Sequence, residues 1–228
     1  MSTIADNLYA LAMRIDHAAN AARRDPTSIH LLAVSKTKPA SAIRQAYAAG
    51  VRDVGENYLQ EALAKQEQLR DLDLTWHFIG PIQSNKTRAI AEHFDWVHSV
   101  DRLKIAQRLS EQRPAHLPEL NICLQVNVSG EASKSGCNPT ELLALARAVA
   151  ALPRLRLRGL MAIPEPSDER VTQEAAFASL RRLQESLALD LDTLSMGMSH
   201  DLEAAIAQGA TWVRIGTALF GARDYGHG

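Results

Sequence analysis

Eight short β-like runs, separated by helix-forming stretches, constrain the fold of this chain more than any other feature. The predicted strands cover residues 31–35, 51–55, 75–79, 96–100, 122–128, 157–163, 193–196 and 212–215. The stretches between them, such as 140–151 and 171–187, are rich in Ala, Leu, Glu and Gln, which favour helices. Strands that alternate with helices form βαβ units, and these units build a parallel sheet.

Eight such strands with no unassigned segment predict an α/β fold, a single (β/α)8 TIM barrel with an extra N-terminal helix. The extra helix is predicted because Ile4, Leu8, Leu11 and Ile15 have helical spacing. The alternative is an open doubly wound sheet, which usually carries a Gly-rich turn after its first strand. The corresponding segment here, Ser35-Lys36-Thr37-Lys38-Pro39, contains no glycine. The sequence therefore favours the barrel.

The length of the chain fits one barrel domain over residues 1–228. Hydrophobic residues make up 46% and the formal net charge is -1, so the chain can bury a large core and has no general attraction to nucleic acid or to an anionic membrane. No run approaches the ~18 apolar residues of a membrane span, and the N-terminus has no signal-peptide core. We therefore expect a cytoplasmic protein.

The cysteines and histidines do not predict a metal site. The spacings of His77, His93, His98 and His116 do not match metal-ligand motifs, and we expect His77 to be a packed or hydrogen-bonded structural residue. Two cysteines make neither a disulfide framework nor a zinc site. Cys123 lies in an apolar run and is predicted to be buried, whereas Cys137 lies in a polar segment and is predicted to be exposed.

Lys36 is the candidate with the clearest chemistry, because it directly follows the first predicted strand. Active sites of TIM barrels lie at the carboxyl ends of the strands. If the strand alternates, Leu32, Val34 and Lys36 share a face that points into the barrel. Burial there lowers the pKa of an amine and suits it to Schiff-base chemistry. Lys38 shares this face; it is either a solvent-facing charge or a like charge that lowers the Lys36 pKa further.

The carboxyl ends of the other strands supply the remaining candidate site residues. They are Glu56, Asn57, Gly80, Val100, Asn127, Met161, Ser199, Arg214 and Gly216. Glu56 has two interpretations, an acid/base group or a structural carboxylate paired with a lysine.

Two turns in the last third of the chain predict a phosphate site. They cover residues 195–201 and 214–221, and each lies between a predicted strand and a predicted helix. Ser199 is a suitable N-cap for a helix over 201–208, and Gly216 with Thr217 can open another helical turn. Backbone N–H groups at helix starts bind phosphate, and this is the frequent phosphate site of TIM barrels. Ordinary capping is the alternative, but two adjacent turns facing a lysine favour phosphate and suggest pyridoxal 5′-phosphate (PLP).

Several blocks of the chain resemble the signature blocks of the PLP homeostasis proteins of the YggS/PROSC type. They are Ala33-Val34-Ser35-Lys36-Thr37-Lys38, Gly55-Glu56-Asn57-Tyr58, Trp76-His77-Phe78-Ile79-Gly80-Pro81-Ile82-Gln83-Ser84-Asn85-Lys86, Gly159-Leu160-Met161-Ala162-Ile163-Pro164, Ser195-Met196-Gly197-Met198-Ser199 and Val213-Arg214-Ile215-Gly216-Thr217-Ala218-Leu219-Phe220-Gly221. The resemblance extends over nearly the whole chain, and the blocks occur in the family's order.

The resemblance implies a barrel of the alanine racemase N-terminal type that carries PLP, a form of vitamin B6, as a Schiff base on Lys36. The implied cofactor-binding roles are phosphate binding for Ser199, Gly216 and Thr217, contact with the pyridine nitrogen for Arg214, and contact with the ring for Asn57 and Met161. Lys134 matches a family lysine on a loop near the site, where a role in cofactor release is suggested.

The resemblance also favours a PLP carrier over a PLP-dependent enzyme. Racemases that share this barrel add a second β domain, which supplies a catalytic tyrosine across a dimer interface. This chain ends at Gly228, and its tyrosines lie in predicted helices or, for Tyr225, in the tail. We therefore expect a monomer that buffers PLP or delivers it to apo PLP-dependent enzymes, without robust amino-acid turnover. The alternatives are an amino-acid racemase acting within one barrel and a Schiff-base aldolase without PLP.

Overall fold

The computed structural model describes residues 1–132 and 135–222. Two residues discussed above, Lys134 and Tyr225, lie outside these ranges.

Within these ranges the strands are all parallel and form a closed barrel in chain order. They are β1 (His30–Val34), β2 (Asp53–Glu56), β3 (Thr75–Phe78), β4 (Trp96–Val100), β5 (Leu120–Gln125), β6 (Leu155–Met161), β7 (Thr193–Ser195) and β8 (Trp212–Ile215). The barrel closes where β1 pairs with β8. The predicted TIM barrel is confirmed, and each predicted strand is found with its ends shifted by a few residues at most.

Helices separate successive strands, as a TIM barrel requires. They are α1 (Ile4–Ala21), α2 (Ala40–Ala48), α3 (Leu59–Gln68), α4 (Thr87–His93), α5 (Leu103–Gln112), α6 (Leu142–Ala150), α7 (Arg170–Ser186), α8 (Leu202–Ala207) and α9 (Thr217–Phe220). Short 3₁₀ turns cover Pro26–Ser28, Ser84–Lys86 and Pro139–Glu141. In the described part of the chain, no helix is both long and apolar enough to cross a membrane.

Helix α1 is the predicted extra helix, and it packs against α8 and α9, the last two helices of the described chain. It begins with a capping box, in which Thr3 and Asp6 exchange two hydrogen bonds of 3.0 Å. Such a box satisfies backbone N–H groups that a helix start otherwise leaves unpaired. Arg14 donates to Glu203 at 2.8 Å and to the carbonyl of Ser199 at 3.2 Å. The helix therefore braces the segment that follows β7.

The apolar core has two parts, separated by the sheet. The larger part, here called the outer layer, lies between strands and helices and includes Ala33, Val54 and Phe94. The smaller part, here called the inner cluster, fills the barrel and consists of Leu32, Val34, Ile79, Trp96, Cys123, Met161 and Trp212. Because successive residues of a strand point to opposite faces, Leu32 and Val34 point inward and Ala33 outward. The predicted orientation of the first strand is confirmed.

Both cysteines are buried. Cys123 is fully enclosed, as predicted, and burial raises the pKa of its thiol to about 12. The predicted exposure of Cys137 is wrong, since its side chain is only 6% exposed and burial raises its thiol pKa to about 11. Backbone hydrogen bonds from Cys137 to Gln125 and from Asn127 to Cys137 hold this segment against the end of β5. The polar neighbours in sequence do not reveal this pairing.

Candidate functional site

A cavity of about 280 Å³ opens at the carboxyl ends of the strands, close to the lower end of the ~300–1,000 Å³ range of small-molecule sites. It includes six of the seven predicted cofactor-binding residues: Lys36, Asn57, Ser199, Arg214, Gly216 and Thr217. Arg214 lies in β8, and the other five residues follow strands β1, β2, β7 or β8. The fold therefore brings residues from both ends of the chain to one site.

Met161, the seventh predicted residue, lies deeper. It is fully buried in the inner cluster together with Val34 and Ile79, which do line the cavity. Among the described residues, Met161 is not part of the lining itself. Its direct contact with a cofactor ring stays a prediction.

Five lining residues were not predicted: Val34, Ile79, Ile163, Met198 and His200. Val34 is two positions before Lys36, so strand alternation alone places it on the same face. Ile163 and Met198, which are 41% and 39% exposed, lie where the cavity opens to solvent. A signal for both was present in the sequence, because each lies within a few residues of a predicted strand end.

Other strand-end candidates lie outside the cavity lining in the described part of the chain. Val100 is fully buried in the outer layer. The side chain of Asn127 donates to the carbonyl of Glu131 at 2.7 Å. A Cβ on Gly80 would lie 2.4 Å from the carbonyl oxygen of Asn57, so Gly80 permits the close approach of the segments that follow β2 and β3.

The turn that carries Lys36 is held in an unusual backbone conformation. Thr37 has φ 66°, a left-handed value that is rare for a β-branched residue. Its N–H donates to Glu61 at 2.6 Å, and the N–H of Lys38 donates to the carbonyl of Ser35 at 3.0 Å. Strained residues persist only where the surroundings over-determine them. The turn thus fixes where the backbone of Lys36 lies.

A buried ion cluster lies behind this turn, on the side away from the cavity. The ammonium of Lys65 lies 2.7 Å from the carbonyl oxygen of Ser35, from Glu56 and from Glu61. The hydroxyl of Ser35 also donates to Glu56, at 2.5 Å. Burial raises the pKa of Glu56, although Lys65 and Ser35 act in the opposite direction. The structure therefore favours the second interpretation of Glu56, a structural carboxylate paired with a lysine.

Lys38 points to the carboxyl-terminal end of the described chain. Its ammonium donates to the carbonyl of Ala222 at 2.6 Å. Together with Lys36, Gly216 and Thr217 it lines a small space of about 30 Å³ beside the main cavity. Its predicted effect on the Lys36 pKa stays a prediction.

Arg214 provides a buried positive charge in the cavity. It is 4% exposed, and it donates to the hydroxyl of Ser195 at 2.8 Å and to the carbonyl of Ala162 at 3.0 Å. Burial lowers the pKa of its guanidinium to about 10, which is still far above neutral pH. Arg214 is therefore a cation that can only donate hydrogen bonds.

The two predicted phosphate turns do meet at the cavity, but Ser199 does not cap the helix that follows it. The helix α8 has Asp201 at its N-cap position, and the Asp201 carboxylate accepts from the N–H of Met198 at 2.7 Å. The Ser199 hydroxyl instead accepts from the N–H of Ala218 at 3.4 Å, in the first turn of α9. The predicted N-cap role of Ser199 is therefore wrong, because the chain closes a further turn before α8 begins. Ser199 links the two turns to each other.

Several polar groups at the cavity are suited to a ligand. The backbone N–H groups of Gly216 and Thr217 have no acceptor among the described residues, and such groups bind anions. The buried Oδ1 of Asn57 likewise has no partner there. Buried polar atoms are nearly always hydrogen-bonded, so the arrangement can hold a polar, anionic molecule.

These features agree with the similarity to known proteins. The chain matches the model of the alanine racemase N-terminal domain over residues 7–224 and belongs to that family. Pyridoxal phosphate homeostasis proteins are close relatives. The protein of Pseudomonas aeruginosa is 76% identical over 99% of this chain and 98% of its own length, and that of Escherichia coli is 57% identical over 99% of both. The family predicted from the sequence blocks is confirmed.

Solved structures share the fold. PipY from Synechococcus elongatus PCC7942, with PLP bound, is 43% identical, has a TM-score of 0.85 and covers 96% of this chain and 100% of PipY. The alanine racemase of Clostridium difficile has a TM-score of 0.65 at 15% identity, and the match covers 95% of this chain but 56% of the racemase. The second similarity is one of fold alone.

Proposed function

We propose that this chain holds PLP as a Schiff base on Lys36 and buffers it or delivers it to apo PLP-dependent enzymes, without robust amino-acid turnover. The observation that carries the proposal is the convergence of Lys36, Arg214 and the turn Gly216–Thr217 on one cavity. Residues 1–228 would act as one PLP-binding domain, as a cytoplasmic monomer. The PLP-bound relative and the names of the homeostasis proteins support the choice of ligand.

The residues at the cavity fit the chemical groups of PLP. When bound, PLP supplies an aldehyde that condenses with a primary amine, and Lys36 is the amine that lines both the cavity and the adjoining space. The N–H groups of Gly216 and Thr217 would bind its phosphate, with the Ser199 side chain alongside. Arg214 would donate to the ring nitrogen, and Asn57 would lie at the ring.

The residues that line the cavity also affect how well bound PLP would catalyse amino-acid reactions. PLP enzymes commonly hold the ring nitrogen protonated through an acidic partner. The described lining residues include no carboxylate, and Arg214 can only donate. Such a site would leave the ring nitrogen unprotonated and weaken PLP as an electron sink. A reversible bond to Lys36 then serves retention of the cofactor better than rapid chemistry.

The assignment of Lys36 is tested by comparing Lys36→Ala with Lys38→Ala after loading each purified protein with PLP. Both lysines line the space beside Gly216, so Lys38→Ala is the matched control. We expect the visible imine absorption band in wild type and in Lys38→Ala and its loss in Lys36→Ala, because only Lys36 would carry the bond. Borohydride reduction followed by peptide mass spectrometry should place the added mass on Lys36.

Two results would contradict the proposal. A reduced adduct on another lysine would remove Lys36 from its role. Exchange of the α-hydrogen of alanine or serine in deuterated water at ordinary enzyme rates, above ~1 s⁻¹, would establish a racemase instead of a carrier.

The phosphate site is tested by Thr217→Val, which removes a hydroxyl at the turn and keeps the shape of the side chain. We expect PLP to bind at least about 10-fold more weakly, because a hydrogen bond to a charged group contributes ~1.5–3 kcal/mol. The matched control is Thr172→Val on the exposed face of α7, which should leave Kd unchanged. Pyridoxal, which lacks the phosphate, should bind both variants equally; a loss shared by pyridoxal would contradict the phosphate role.

A further inference from the structure

A continuous line of hydrogen bonds crosses the interior of the barrel. Arg214 donates to the hydroxyl of Ser195 at 2.8 Å, and this hydroxyl lies 2.7 Å from Nδ1 of His98. Nε2 of His98 lies 2.9 Å from Nδ1 of His77, and Nε2 of His77 lies 2.9 Å from the carboxylate of Asp53. These five residues, here called the interior chain, come from strands β2, β3, β4, β7 and β8.

The interior chain connects the cavity to the opposite end of the barrel. Arg214 lines the cavity, whereas Asp53 is the first residue of β2 and its side chain is 29% exposed. Between them, Ser195, His98 and His77 are fully buried. Two inner-cluster rings enclose the middle: His77 stacks on Trp96 with centroids 5.4 Å apart, and Trp212 lies 4.8 Å from His77.

The two ends of the interior chain fix the position of every proton in it. The guanidinium of Arg214 can only donate and the ionised carboxylate of Asp53 can only accept. Because Asp53 can only accept, His77 carries its proton on Nε2. A neutral His77 then accepts at Nδ1 from Nε2–H of His98. A neutral His98 in turn accepts at Nδ1 from the hydroxyl of Ser195, which itself accepts from Arg214.

The electrostatics agree with this assignment. Burial lowers the pKa of both histidines, and for His98 the proximity of His77 and the charge of Arg214 act in the same direction. Both imidazoles are therefore neutral at neutral pH, which the assignment requires because each has one protonated nitrogen. All five groups of the interior chain are satisfied, with a cation at one end and an anion at the other.

We propose that Ser195, His98, His77 and Asp53 are positioning residues that hold the Arg214 guanidinium in place at the cavity, with both histidines in the Nε2–H tautomer. A guanidinium attached through a flexible side chain loses rotational freedom when it binds a ligand. The interior chain removes that freedom in advance. The effect on cofactor binding rests on the proposed function, whereas the tautomers do not depend on it.

The tautomers are tested by NMR on the uniformly ¹⁵N-labelled full chain without PLP. His77→Gln and His98→Gln assign the two ring systems. We expect each ring to show a protonated Nε2 and an unprotonated Nδ1 at about pH 7.5, which lies above the usual His pKa of about 6.5. A proton on Nδ1 of either ring, or two protons on either ring, would overturn the assignment.

The positioning role is tested with Ser195→Ala, which breaks the interior chain beside Arg214, and with Cys123→Ala, which removes a buried inner-cluster side chain outside it. We expect Ser195→Ala to weaken PLP binding about 10-fold and to shift the visible absorption maximum of bound PLP. Cys123→Ala should lose thermal stability but keep both the wild-type Kd and the wild-type maximum. Equal Kd values and maxima for the two variants would overturn the positioning role.

A remote variant distinguishes positioning from a purely local effect. Asp53→Ala removes the acceptor at the far end, and we expect changed ring signals of His77 and His98 together with weaker PLP binding. Unchanged PLP binding in Asp53→Ala would restrict the positioning residues to Ser195 and contradict the rest of the proposal. Failure of wild type to bind PLP would refute the proposed function and leave the tautomer measurement interpretable.

Discussion

Replacing Gly159 with alanine should destabilise this protein more than the same replacement at any other glycine that the structure describes. Gly159 lies in β6 opposite Thr193 of β7. A Cβ at position 159 would lie 1.7 Å from the carbonyl oxygen of Thr193 and 2.9 Å from the side-chain oxygen of Gln184. The first of these atoms belongs to the backbone and cannot move without separating the two strands.

We therefore expect Gly159→Ala to lower the free energy of unfolding by at least about 4 kcal/mol, the range reached by severe steric defects. For a chain of this size that corresponds to a decrease in Tm of about 8–16 °C. Thermal unfolding followed by circular dichroism measures it, and failure to obtain folded protein is the extreme form of the same result.

Gly216→Ala is the control for the stability measurement. Its Cβ would meet the carbonyl oxygen of Val34 at 3.4 Å, an ordinary van der Waals contact, so its Tm should stay close to that of wild type. The pairing of β6 with β7 also places Ser195 beside Met161. If the Tm of Gly159→Ala lay within a few degrees of the Tm of Gly216→Ala, the register of β6 on β7 would be wrong, and with it the position of Ser195.

Replacing Lys65 with methionine is expected to have the second-largest effect. Lys65 and Glu56 are 6% and 0% exposed at their side chains and lie 2.7 Å apart. Removal of one member of a buried ion pair leaves the other charge without compensation and typically costs roughly 3–5 kcal/mol. Lys65→Met should lose this much in urea unfolding. The turn that carries Lys36 should loosen as well, because the carbonyl of Ser35 loses a donor.

The effect should depend on pH in a defined direction. Burial already raises the pKa of Glu56 in the folded state, and loss of Lys65 raises it further. The folded state of the variant then binds a proton more readily than the unfolded state, so its stability rises as the pH falls. The difference from wild type should therefore shrink from pH 7 toward pH 5.

Two further variants isolate the charge effect. Arg44→Met breaks the exposed ion pair with Asp71 and should have a much smaller effect, since exposed pairs contribute little. Glu56→Gln combined with Lys65→Met removes the isolated charge and should recover part of the lost stability. A loss in Lys65→Met no greater than that in Arg44→Met would show that the cluster does not support the fold.

The sequence could predict the fold because its main signal is local. Apolar runs and helix-forming stretches alternate along the chain, and the carboxyl ends of parallel strands must meet at one end of a closed barrel. That rule alone predicts that Lys36, Asn57 and Arg214 lie at the same end of the barrel. The side-chain alternation of β1 likewise predicted correctly that Leu32 faces inward.

What could not be predicted depends on contacts between distant segments. Cys137 is buried because its backbone pairs with the end of β5, and its polar neighbours give no sign of this. Ser199 looks like an N-cap because it precedes a helix, but its hydroxyl accepts from Ala218 instead. The sequence does not predict the interior chain either. It indicates a structural role for His77, but the contact of His77 with His98 depends on the register of β3 on β4.

The division of the apolar core into an outer layer and an inner cluster has a consequence for how such a chain can change over generations. Outward residues such as Ala33 contact helices, and inward neighbours such as Val34 contact the cavity. One sheet thus separates the apolar residues that pack against the helices from those that fill the barrel below the cavity. Helix-facing positions can change among apolar residues of similar volume while the cavity keeps its form, whereas a change at Val34 or Ile79 alters the cavity and the inner cluster together.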